Sequence, residues 1–127
     1  MGSRIEPRTE IMTAYSLFWF VFGPAAVFGC VLVLVEGTYL VYGSLGVVFG
    51  ILASVTAFGI FKQTRWSKRL PLTVSGFHLL FLALEFAPDL LPPDVRGDLP
   101  ASLTWVAFDL GMAWYFSRNA IAARLVR

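Results

Sequence analysis

The chain has a single cysteine and a single histidine, and both scarcities narrow what it can do. With Cys30 alone, an intramolecular disulfide and a multi-cysteine metal site are excluded. With His78 alone, neither a His-rich ligand set nor the paired Glu-x-x-His spacing of bundle metal sites can form, so no metal site is expected. No Gly-rich phosphate loop follows a strand, no Gly-x-Ser-x-Gly elbow occurs, and no histidine lies near Cys30 in sequence. These absences leave no catalytic set and no identifiable cofactor. Charge is also scarce, at 14% of residues, against about 25% in soluble domains.

Hydrophobic residues make up 57% of 127 positions. A soluble domain this small buries too little of its surface to hide that much apolar area, so a lipid bilayer is the expected solvent. A spanning helix needs about 20 mainly apolar residues. The length therefore accommodates four spans and short connections in one all-α domain, covering residues 1–127. The spans are expected at 11–35, 39–61, 71–87 and 101–117, with a basic loop at 62–70 and a Pro- and Asp-rich loop at 88–100. The first run is much longer than the roughly 7–15 residues of a signal core, and Phe28 is too bulky for a lipoprotein cleavage box ending at Cys30.

Lys and Arg set the orientation. Arg4, Arg8, Lys62, Arg65, Lys68, Arg69, Arg118, Arg124 and Arg127 fall on one side and only Arg96 on the other, so both termini are expected in the cytoplasm of a plasma-membrane protein. Lys62, Arg65, Lys68 and Arg69, with Trp66 among them, determine topology and can meet anionic headgroups. The basic residues sit at helix ends and form no extended face, which argues against a nucleic-acid partner. Tyr39, Tyr42 and Trp105 are expected near the outer interface, and Tyr15, Trp114 and Tyr115 near the inner one.

Two patterns stand out within the spans. Gly43, Gly46, Gly50, Ala53 and Ala57 form one small-residue stripe that contains a GxxxG pair, and Ala107 and Gly111 give the fourth span a shorter version. Small residues let helix backbones approach closely in lipid. The stripe therefore receives either another helix of the same chain or a second copy or partner subunit.

The second pattern is polar: His78 and Glu85 in the third span and Asp109 in the fourth. A charged residue at the bilayer centre costs about 2.5–3.5 kcal/mol on the insertion scale, so these side chains should turn inward and find partners. At about 1.5 Å per residue, counting up from Pro71 and down from Ala101, Asp109 comes out level with Glu85 and above His78.

The stretch Gly46-Val-Val-Phe-Gly-Ile-Leu-Ala, with Gly59, the basic Arg65-Trp66-Ser67-Lys68-Arg69 and the ending Trp114-Tyr115-Phe116-Ser117-Arg118, resembles small, uncharacterised prokaryotic four-helix multi-pass membrane proteins. That resemblance implies four helices and a prokaryotic origin, and no activity. Four-helix multidrug exporters of similar length carry a membrane-embedded glutamate in the first helix; here the first span has no acidic residue before Glu36.

The leading functional expectation is a non-enzymatic membrane component that self-associates or joins a larger membrane complex through the glycine stripe. The alternative is a small ion- or proton-coupled transporter or channel using the intramembrane carboxylates. A membrane-embedded enzyme acting on a lipid-like substrate is the third.

Overall fold

The computed structural model describes residues 6–84 and 99–127, and among them the protein is all-helical. Four long helices, α1 (Glu10–Glu36), α2 (Leu40–Phe61), α3 (Leu70–Leu84) and α4 (Leu99–Ser117), are followed by a short α5 (Asn119–Ala122). A single 3₁₀ turn, Arg65–Ser67, lies within the basic connection between α2 and α3. Two helices, α1 and α2, are long and apolar enough to cross a membrane. The expected outer loop lies outside the described residues as far as position 98. Its last two positions, Leu99 and Pro100, already belong to α4.

Local chemistry sets the helix ends. Thr9 caps α1 by accepting from the Met12 amide at 3.2 Å, which satisfies one of the otherwise orphaned first-turn donors. At the other end Gly37 takes a left-handed φ of 75° and returns its amide to Val33 and Leu34. That conformation is cheap only for glycine. Pro24 sits on the exposed side of α1, and the helix continues through it.

The packing of α1 on α2 rests on glycine. A Cβ built on Gly50 would stand 2.6 Å from the Gly23 carbonyl oxygen and 2.6 Å from Val27 Cγ2. One on Gly46 would overlap Cys30 Sγ, and one on Gly43 would press on Leu34 at 2.7 Å. Ala53 and Ala57, completing the stripe, are fully buried. The stripe is thus filled by α1 of the same chain. The shorter run on α4 behaves differently: Ala107 and Gly111 are exposed, and a Cβ on Gly111 would meet nothing within 4 Å. α4 instead turns Asp109, Tyr115 and Phe116 inward.

Between α1 and α4 the spacing is set by rings. No backbone contact joins these two helices; Tyr15 meets Phe116 at 4.7 Å between centroids, and Phe18 meets Phe108 at 5.4 Å and Trp105 at 5.9 Å. The molecule therefore has one tight seam, α1–α2, and one wide seam that large side chains fill.

One end of the molecule is tied shut. Gln63, in a left-handed conformation at φ 56°, donates its side-chain amide to the carbonyls of Glu6 and Arg124 at 2.6 and 3.0 Å. Those bonds offset a backbone conformation that costs a non-glycine residue about 1–3 kcal/mol. Arg65 and Arg127 exchange backbone bonds with the tail and connection, Arg124 pairs with Glu6 at 3.0 Å, and Ile121 and Leu125 plug the core. The first described residues, the α2–α3 connection and the chain's tail all meet here.

The glycine seam makes a direct prediction. Gly50→Ala should lower stability by about 1–3 kcal/mol, the usual cost of overpacking. Gly76→Ala, with open space around the new methyl, should raise it by about 0.4–1 kcal/mol. Denaturant midpoints of the two variants, compared with the parent, check both signs.

Candidate functional site: a buried His–Asp pair under a cavity

Asp109 is 1% exposed, on the inward face of α4. A lone carboxylate there would be strongly disfavoured, and burial is tolerated only with a partner. The partner is His78 of α3. Its Nδ1 donates to Asp109 Oδ1 at 2.9 Å. Oδ2 stands nearer, at 2.7 Å, but off the N–H direction, and it has no hydrogen bond of its own.

The pairing departs from the depth order expected along the sequence. Asp109 does not lie a helix turn or more above His78; the two are level. The reason is the choice of origin. Measured from the tied end, His78 lies eight residues past the start of α3 at Leu70, and Asp109 eight residues before the end of α4 at Ser117. Both positions are about 12 Å up at the helical rise. Counting from the far end of α4 misplaces Asp109. Glu85, the other expected member of the polar site, lies outside the described residues.

Three aromatic rings hold the imidazole. Phe49 stacks on it at 5.5 Å and 16°, while Trp105 and Trp19 present edges at 5.1 and 6.0 Å. Tyr15 adjoins Trp19 at 6.3 Å. With its faces and edges packed and Nδ1 committed to Asp109, the ring has one orientation. Its other nitrogen, Nε2, makes no hydrogen bond among the described residues. The buried Tyr15 hydroxyl and Trp19 Nε1 likewise make no hydrogen bond among the described residues. Polar capacity is therefore concentrated around the pair and not exhausted by it.

Above the pair lies a cavity of about 480 Å³. His78, Phe49, Phe81, Trp105, Tyr42 and Cys30 line it, and α1 closes one side with Ala25, Ala26, Gly29 and Val33. Its size is within the usual range of small-molecule sites, about 300–1,000 Å³. Among the described residues the wall carries no carboxylate and no Lys or Arg. On the opposite side of His78, toward the tied end, Met12, Tyr15, Trp19 and Phe116 belong to the buried core.

Several residues of this site were not identifiable as such in the sequence. Trp105, Tyr42 and Tyr15, expected near the membrane interfaces, face inward: two line the cavity and the third is 3% exposed. Phe49 reads as generic apolar content of its span. Trp114 and Trp66 are exposed, as are Lys62, Lys68 and Arg69, while Arg65 donates to the Val126 carbonyl at 3.0 Å. Among the described residues no third His, Cys, Asp or Glu joins the pair in a metal-binding group.

No family model, curated protein or solved structure matches the chain.

The pair predicts a specific double-mutant cycle. His78→Phe alone strands a buried carboxylate, and Asp109→Leu alone strands the imidazole donor. Removing one partner of a buried pair costs about 3–5 kcal/mol, whereas replacing both by apolar groups is often near neutral. The double variant should therefore be more stable than His78→Phe, giving a coupling energy well above the few tenths expected for independent sites.

Proposed function

We propose that the protein is a four-helix, multi-pass membrane protein with both termini in the cytoplasm, and that it works as a small proton-coupled carrier. Composition and the positive-inside count support the membrane assignment, as do two helices of spanning length and the large apolar residues exposed along α1, α2 and α4, such as Val21, Phe28, Val48 and Leu110. Contiguous exposed apolar surface on that scale is foreign to soluble monomers. The gathering of residue 6, the basic connection and the tail at one end agrees with an up-down-up-down path.

The observation that carries the carrier reading is His78, held by a buried carboxylate and lining a cavity. A neutral imidazole with Nδ1–H bonded to Asp109 offers the Nε2 lone pair to the cavity. On accepting a proton there it becomes an imidazolium already paired with its counter-ion. Ionisable residues inside the membrane mark proton and substrate paths. The glycine stripe is occupied by α1, so an assembly role would need a different surface of the molecule.

Proteoliposomes polarised with a potassium gradient and valinomycin test the reading. Wild-type protein should admit protons faster than empty liposomes, and Asp109→Asn, which keeps an acceptor for Nδ1, should bring flux to within about twofold of the empty control while its circular dichroism is unchanged. Equal flux in the variant and wild type, or no wild-type flux above the control, contradicts it.

A further inference from the structure

We infer that the cavity above His78 binds a neutral, lipid-soluble phenol, whose ring hydroxyl donates to His78 Nε2. The inference rests on the carrier reading for its purpose, and on the cavity wall for its chemistry.

The wall selects against ions first. A permanent cation would find aromatic faces but, among the described residues of the wall, no carboxylate, because Asp109 is 1% exposed and His78 stands against it. Once His78 is protonated, it would repel such a cation. A permanent anion would find no Lys or Arg among the described residues of the wall. A neutral molecule entering from lipid meets neither penalty.

The wall then selects for a ring. Phe49, Phe81, Trp105 and Tyr42 supply four of the larger lining side chains, and Tyr42–Phe81 and Phe49–Phe81 lie 5.7 and 5.6 Å apart between centroids. Aromatic pairs gain from offset and edge-to-face contact beyond the area they bury, so a flat ring gains contacts here that an alkyl chain does not.

The fixed imidazole selects for a donor. With Nδ1 spent on Asp109, the neutral ring presents an acceptor at Nε2, and the carboxylate behind it strengthens that acceptor. A phenolic hydroxyl is a better donor than an alcohol and fits both demands at once. A site built to bond a hydroxyl discriminates strongly against the analogue that lacks it, since its own polar group is then left unpaired.

The probes are para-nonylphenol, its methyl ether and para-nonylcyclohexanol, titrated into nanodiscs with and without the full-length protein. Lipid partitioning appears in the empty discs and is subtracted. The phenol should bind saturably, at least tenfold more tightly than the ether, which keeps the ring and loses the donor. It should also exceed the cyclohexanol, which keeps the hydroxyl and loses the ring. His78→Phe should erase the preference for phenol over ether.

Because that variant also strands Asp109, Gly29→Leu provides an independent check. Gly29 lines the cavity and a Cβ there meets nothing within 4 Å, so leucine fills the space without displacing a helix, and phenol binding should fall at least tenfold. Equal affinity for phenol and ether, or Gly29→Leu binding as wild type does, overturns the proposal. Neither result touches the flux assay, which contains no phenol; phenol binding without proton flux would remove the carrier reading and keep the site.

Discussion

Burying the Asp109 carboxylate is the constraint around which the rest of the molecule is arranged. An ionised oxygen in an apolar interior is tolerable only when a donor stands within bonding distance and stays there. The donor is an imidazole, and an imidazole must be held by its faces. Phe49 from α2, Trp19 from α1 and Trp105 from α4 do this, so all four long helices contribute to one hydrogen bond. Trp105 also meets Phe18 across the α1–α4 seam, and the cavity beside it is lined by residues of all four long helices.

The glycine seam serves the opposite purpose. Gly23, Gly43, Gly46 and Gly50 bring α1 and α2 into backbone contact, where packing is the main source of helix association in lipid. The hydrogen bonds of Gln63 and Arg65 and the Arg124–Glu6 ion pair hold the tied end together.

Much of the helical frame was legible in the sequence, because runs of 20 apolar residues and flanking charges are unambiguous physical signals. The ends of α1 and α2 fall within a residue of the expected 11–35 and 39–61. Asp109 and His78 were legible as inward polar residues for the same energetic reason. Their partnership was not, since it depends on the level at which α4 sits beside α3, and the sequence carries no ruler for that except the tied end at Ser117. The inward turn of Trp105, Tyr42 and Tyr15 was hidden too: an aromatic near a span's end satisfies an interface and a core equally well until the neighbouring helix is known. Gly50 was legible as a close-packing residue, while its contact at Gly23 was not, because a single glycine ahead of Pro24 has no stripe around it.

Because the protein contains one histidine, nitrogen NMR of a histidine-labelled sample reports on the central interaction without overlap. In the neutral ring the spectrum should show Nδ1 carrying the proton in a hydrogen bond and Nε2 as the unprotonated nitrogen. A neutral ring protonated at Nε2 instead, or a spectrum that Asp109→Asn leaves unchanged, would contradict the pairing from which the cavity chemistry and the proposed function both follow.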